Sequence, residues 1–397
     1  MKRCVILPGI LLFTALASAQ SPSVLVMNAS RLSELKKIQQ QPGSEIRQIV
    51  STLQMRADSI LSMRPLSVMD KEFMPVSGNK HDYMSQAPYF WYDSSKPNGL
   101  PYLRRDGVRN PEINKITDRT YLGRLENATR TLSLVWYLTG EEKYAQKSAE
   151  LLRTWFLNET TKMNPHLEYG QAIPGVNTGR GIGIIETVAL TNIADAASLL
   201  VGSKSWTEAD HKALQAWYSQ YLNWLLTSKN GKDEHAAKNN HGTWYYAQAI
   251  DFALFTGDKV KAKQLAEESK KRLDSQLTKE GQQPLELART NALGYSTMNL
   301  RGWFTVATLA EKTGVDLWNF KTSHAVGIRG AFDWLLPYAL GEKPWTWQQI
   351  SKYNKNEIYP LLLQAADVFN DPKYLSTAAG LKSEDLGFND LLYRKIE

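Results

Sequence analysis

The sequence predicts an all-α protein, a ring of helical hairpins closed around a central cleft. Three observations lead there. Four segments repeat one helix-turn-helix plan, the β-branched alternation that marks strands is almost absent, and 397 residues give repeated hairpins enough length to close on themselves. An open solenoid of the same hairpins is the alternative, and the closed toroid is preferred because its inner helices would surround a cleft.

The first element is a leader. MKRCVILPGILLFTALASA has a basic start at Lys2 and Arg3, an apolar run and a small-residue ending at Ala17-Ser18-Ala19. This reads as a secretory signal peptide cut after Ala19, and its apolar run is too short to span a bilayer. The mature chain, 20–397, is expected to be one toroid domain in the periplasm or outside the cell, with no membrane span. Cys4, the only cysteine, lies in the leader. Disulfides, thiolate catalysis and cysteine metal sites are therefore excluded from the exported chain. Subtracting Lys2 and Arg3 from the formal charge of +7 leaves +5, a mild excess that suits a polyanionic partner.

The hairpins read "LSLVWYLTGEEKYAQKSAELL" (132–152), "AIDFALFTGDKVKAKQLAEES" (249–269), "FTVATLAEKTGVDLWNF" (304–320) and "LLLQAADVFNDPKYLSTAA" (361–379). In each an apolar helix runs into Thr-Gly or Asn-Asp and is expected to restart as a second helix. Gly140, Gly257 and Gly314 supply the left-handed residue that commonly ends a helix. Segments 186–201 and 207–227 also carry apolar residues at helical spacing, and Thr207 with Asp210 reads as a capping box.

Two stretches break the rhythm, "APYFWYDSSKPNGLPYLRRDGVRNPEIN" (87–114) and "NPHLEYGQAIPGVNTGRGIGIIET" (164–187). The first is too long for an idle connection, and the aromatic and basic residues of both suit the walls of a binding site. In the first, Tyr89, Trp91, Tyr102, Arg104 and Arg105 offer stacking faces and charge. In the second, Arg180 and Asn177 are candidates for contacts to a carboxylate, Asn177 equally for a turn in Asn-Thr-Gly. "GRGIG" (179–183) follows a loop and lacks the full dinucleotide fingerprint, so its glycines are read as allowing close backbone approach.

The chemistry concentrates in two short clusters. "KNNHGTWYY" (238–246) crowds Asn239, Asn240 and His241 against Trp244, Tyr245 and Tyr246, and "ELARTNALGYSTMNLRGW" (286–303) sets Arg289, Asn291 and Tyr295 at the start of an apolar helix. There is no nucleophile elbow, Walker loop, H-E-x-x-H or EF-hand loop. No metal site, cofactor or nucleic-acid partner is expected.

Together with the two loops, these clusters resemble the alginate lyase group of α/α-toroid polysaccharide lyases over roughly residues 85–340. The resemblance implies an acidic polysaccharide partner, mannuronan, alginate or glucuronan, cut by β-elimination. Such an enzyme must neutralise a uronate carboxylate, take the C5 proton and expel O4. Carried onto this chain, Asn240 would bind the carboxylate, and His241 would share that task or serve as base. Arg289 would hold the carboxylate and lower the proton affinity of Tyr295. Tyr295 would take the C5 proton and return it to O4, since both lie on one face of β-mannuronate and β-glucuronate. Trp244 and Tyr245, three and four residues after His241, are expected to line the sugar site, and Tyr246 to pack away from it. Gly242 and Thr243 depart from the bulkier or more polar residues often found there.

Two other function classes compete. A glycoside hydrolase would need paired carboxylates, for which Asp106, Glu168, Glu186 and Glu286 are available without an evident pair. A non-catalytic glycan binder would explain the aromatics and charge but not the Asn-His and Arg-Tyr clusters.

Overall fold

The computed structural model describes residues 22–41, 43–381 and 388–393, so the leader lies outside the described residues. Fifteen α-helices, counted among those residues, make up just over half of them. They are α1 (Ala29–Ile38), α2 (Glu45–Leu61), α3 (Asp118–Thr139), α4 (Glu142–Leu152), α5 (Ala189–Leu199), α6 (Glu208–Thr227), α7 (Lys229–Ala236) and α8 (Asn240–Phe255). After them come α9 (Lys259–Gln276), α10 (Pro284–Leu287), α11 (Ala292–Glu311), α12 (Ile328–Leu340), α13 (Tyr359–Val368), α14 (Pro372–Gly380) and α15 (Phe388–Tyr393). Side chains of α3, α5, α8, α11 and α13 surround an axial cavity of about 460 Å³, which makes these the inner helices. The first and last of these helices meet, with Arg31 of α1 donating from Nε to the Leu391 carbonyl of α15 at 3.2 Å.

Local chemistry sets the hairpins. Gly140 ends α3 at φ 76° and its N–H caps the Trp136 carbonyl, a geometry that costs a residue with a Cβ. Thr207 and Asp210 form the reciprocal cap that starts α6. The third hairpin departs from expectation. After Gly314 the chain stays irregular until α12, because Val315, Leu317 and Trp318 are buried as a loop and Asp316 turns back to accept from the Asn319 N–H at 3.0 Å. The expected helix over 186–201 is also divided, a 3₁₀ segment at Gly181–Val188 running into α5. That apolar run, Gly181–Leu199, reaches the length and hydropathy of a membrane span, but 67% of it is buried within the ring.

The N-terminal stretch is tied into one end of the ring. Asp195 of α5, fully buried, accepts the backbone N–H groups of Leu25, Val26 and Met27, and burial pushes its carboxyl up to about 6 against those three bonds.

The two long loops are joined by the little sheet structure there is. Strands β1 (Met84–Gln86) and β4 (Tyr169–Ala172) pair in parallel, and β2 (Phe90–Trp91) pairs antiparallel with β3 (Leu103–Arg104). Glu186 locks the first pair from below, accepting from the Tyr83 hydroxyl at 2.9 Å and the Ser85 hydroxyl at 2.6 Å. The glycines of "GRGIG" serve backbone contact. A Cβ on Gly179 would lie 1.9 Å from the Glu168 carbonyl oxygen, and one on Gly183 would lie 2.6 Å from the Gly170 backbone.

Candidate active site

The Asn-His cluster opens α8, at the end of the ring where the two loops lie. Asn240 is fully buried, and its backbone N–H and side-chain amide both donate to the Glu286 carboxylate, at 2.7 Å each. Burial raises the Glu286 carboxyl, an effect partly offset by the two bonds from Asn240 and by the charges of Arg289 and His241. This corrects the expectation that Asn240 meets a substrate directly. Its amide is turned to Glu286, and its carboxamide oxygen is buried without a partner.

His241 is the one residue in the first turns of α8 that reaches the surface, with 13% of its side chain exposed. Its Nδ1 lies 2.8 Å from Oε1 of Glu234, a fully buried carboxylate on α7. That contact fixes the ring and leaves Nε2 as the nitrogen available for chemistry. Gly242 is required beside it, since a Cβ there would sit 2.1 Å from the Ala237 carbonyl oxygen.

The second cluster lies at the start of α11. Arg289 grips Asp106 of the first loop through Nε at 3.1 Å and Nη2 at 2.8 Å, and the Thr290 hydroxyl adds a bond at 3.1 Å. Burial alone would raise the Asp106 carboxyl, but the bonds and charge of Arg289 hold it well below the usual carboxylate range. The same guanidinium covers the Tyr295 ring, 3.7 Å from its centroid, while the Tyr295 hydroxyl donates to the Tyr89 hydroxyl at 2.8 Å. Arg289 lowers the proton affinity of Tyr295 as expected, but the net effect runs the other way. Burial and the Tyr89 hydroxyl raise the phenol above its ordinary value and outweigh the lowering by Arg289, whose charge is already shared with Asp106.

Charge links these groups into one site. Arg289 feels Glu286 as well as Tyr295, and Glu286 feels His241. Arg180 of the second loop feels Glu186 and Glu234; its Nη2 donates to Gln171 at 2.8 Å, it stacks over Phe90 at 5.1 Å, and its Nε is buried without an acceptor. Gln171 itself is held at φ 50°, a strained value for a residue with a side chain.

The remaining expectations divide. Asn177 closes its own turn, its amide oxygen accepting the Ile173 N–H at 3.1 Å. Trp91 donates to the Val108 carbonyl at 2.9 Å under the Arg105 guanidinium, Tyr102 donates to Glu112 at 2.8 Å, and Arg104 joins Asp106 at 2.8 Å. Trp91, Tyr102 and Arg105 thus hold the loop in shape, with Arg105 and Arg104 exposed. Trp244 and Tyr245 are a correction. They are 6% and 3% exposed, Trp244 against Gly302 and the axial cavity, Tyr245 in ring contact with His235 at 4.8 Å. A helix with neighbours on every side has no open face to give them. Tyr246 is buried as expected and donates to Glu268 at 3.0 Å.

Three residues escaped the sequence reading. Glu234 lies seven positions before His241 across a helix break, Glu286 stood only among the possible hydrolase carboxylates, and Arg109 is one more arginine in "RRDGVR". Arg109 has no hydrogen bond or ion pair among the described residues. It is exposed as a residue, yet its guanidinium is lowered first by burial and then by Arg119, and it feels both Tyr89 and Tyr295. The four carboxylates available to a hydrolase are all engaged, Asp106 by Arg289, Glu186 by Tyr83 and Ser85, Glu286 by Asn240, and Glu168 by the Trp224 indole at 3.1 Å.

Comparison with known proteins places this geometry. The family model described as alginate lyase matches residues 67–345. The crystal structure of an alginate lyase from Bacteroides ovatus is similar to this chain at 39% sequence identity and a TM-score of 0.89, covering 94% of this chain and 99% of that one. Alginate lyase A1-III from Sphingomonas species A1 shares the fold at 16% identity and a TM-score of 0.51, over 87% of this chain and 95% of that one. A variant of alginate lyase A1-III complexed with a tetrasaccharide gives 15% identity and a TM-score of 0.58, over 96% and 98%. No curated protein matches the chain. With the family model spanning most of the chain and a relative at that identity aligned almost end to end, the protein belongs to the alginate lyase family and is a polysaccharide lyase of the helical toroid fold.

Proposed function

We propose that this lyase is exported through its leader and cleaves a β-mannuronate or β-glucuronate polymer by β-elimination. One observation carries the reading: a tyrosine hydroxyl, that of Tyr295, bonded to a second phenol and overlaid by a guanidinium within one charge-linked site. Tyr295, as phenolate, takes the C5 proton. The C5–H electrons form the C4–C5 double bond, the C4–O4 bond breaks, and the new phenol returns its proton to O4. The enzyme ends as it began.

The uronate carboxylate must be neutralised before C5 is acidic enough to lose that proton. His241 meets it through Nε2, with buried Glu234 balancing any positive charge on the ring. Arg109 and Arg180, each with guanidinium donors to spare, flank it. Asn240 and Glu286 act behind His241 by fixing the start of α8.

The test is a panel of polyuronates followed by ultraviolet absorbance of the unsaturated product. A hydrolase would give new reducing ends without absorbance, and a binder would give neither. The rate should persist in excess chelator, because no step uses a metal ion. Cell fractionation, with a mature chain beginning at Gln20, tests export.

Tyr295 also sets a pH prediction. Its proton affinity is raised, so the phenolate is scarce at neutral pH and kcat/KM should climb through the alkaline range. Tyr89→Phe removes the hydroxyl that stabilises the neutral phenol. The climb should then begin at lower pH in this variant, and an unmoved or upward-shifted profile would count against Tyr295 as base.

A further inference from the structure

The loop after α12 carries Trp345 and Trp347, which gather with Trp334 and Tyr338 of that helix into a four-ring cluster. Ring centroids lie 4.8 Å apart for Trp345 and Trp347, 5.5 Å for Trp334 and Trp347, 5.1 Å for Trp334 and Tyr338, and 5.5 Å for Tyr338 and Trp345. All four rings are half-buried, whereas Trp155 and Trp303 in the core are covered completely. The rings pack edge to face or tilted, Trp334 and Trp347 at 73° and Tyr338 and Trp345 at 77°, and large rings left partly bare beside one another offer an apolar surface.

The same loop is stitched to the catalytic region. The Ile350 N–H donates to the Thr290 carbonyl at 3.0 Å, directly after Arg289. The Ala292 N–H donates to the Gln348 carbonyl at 3.1 Å, the Leu293 N–H to the Gln349 side chain at 3.1 Å, and the Ser351 hydroxyl to Asn291 at 2.7 Å. These residues open the helix that carries Tyr295, so the loop bearing Trp345 and Trp347 is fastened to the start of that helix. Its charge is of the matching sign. Exposed Lys343 lies 5.9 Å from the Tyr338 ring, and Lys352, beyond the stitched segment, is also exposed.

We propose that Trp334, Tyr338, Trp345 and Trp347 form a distal platform for the polyuronate chain, holding sugar rings away from the bond that is cut while Lys343 and Lys352 meet their carboxylates. Pyranose rings present apolar C–H faces that pack on aromatic rings, and a polymer reaching beyond the cleft gains affinity without altering the chemical step. The proposal rests on the polyuronate lyase reading.

The experiment compares polymannuronate with oligomannuronates of graded length, for wild type, Trp347→Ala, Trp347→Phe and Lys343→Gln. In Trp347→Ala, KM for the polymer should rise about tenfold, the scale of losing one aromatic anchor. Its kcat, and its kcat/KM on a trisaccharide, should stay at the wild-type values. Trp347→Phe should keep most of the polymer affinity, and Lys343→Gln should weaken it in a way that high salt erases. An unchanged polymer KM in both Trp347→Ala and Lys343→Gln, or an equal loss on trisaccharide and polymer, overturns the platform. If Trp347→Ala does not fold, Trp347→Phe and Lys343→Gln decide alone. Wild type inactive on every polyuronate would instead overturn the underlying reading, and the platform with it.

Discussion

Tyr295→Phe is expected to lower kcat by about 10²- to 10⁴-fold, the range for removing a positioned proton-transfer group. The change deletes one oxygen and leaves the ring under Arg289, so the cation contact and the packing survive. Tyr89 loses a donor at a half-buried position, where water can replace it at little cost. Polymer affinity, measured by equilibrium binding, should therefore stay within a factor of a few of wild type. A variant with wild-type turnover would remove Tyr295 from the mechanism, and one that lost binding and turnover together would make it a contact residue.

His241→Ala should lower turnover by at least about 10²-fold, because it takes away the group that faces the carboxylate. The structure adds a stability cost that the sequence alone did not suggest. Glu234 has one oxygen buried without a partner and the other bonded to His241, so truncation orphans a fully buried carboxylate. That should cost on the order of 1–3 kcal/mol. Adding Glu234→Ala should recover stability and leave turnover low, a cycle that separates the two roles. Tyr246→Ala is the contrasting case. Its ring is buried and its hydroxyl serves Glu268 and His235, so about 3 kcal/mol of stability should be lost while the folded fraction keeps its specific activity. If His241→Ala unfolds the protein but the folded remainder works normally, the histidine is a packing residue.

Features that adjacent residues decide could be read directly. Helical spacing, Gly140 and Gly257 as left-handed stops, and the Thr207–Asp210 cap are each properties of a few consecutive residues, and each is present in the fold. The third hairpin shows the limit of that reading. Thr-Gly ends α11 as it ends α8, but the conformation of the next residues depends on whether Val315 and Trp318 find a core to enter, and here they enter it as a loop.

The crowding in "NNHGTWYY" was legible, as was the arginine before Tyr295, because such polar clusters at the start of apolar helices are costly without a use. Their partners were not legible. Asp106 reaches Arg289 across 183 residues, Tyr89 reaches Tyr295 across 206, and Glu286 reaches Asn240 across 46. Helical spacing could place Trp244 and Tyr245 on the face of His241 but could not say that both sides of α8 are covered by other helices. The sequence by itself determined the hairpins and the residue types available for chemistry. Only tertiary packing decided which cation is already paired, which amide is turned inward and which way the Tyr295 proton affinity moves, because burial and long-range pairing set those energies and neither is a property of neighbours in the chain.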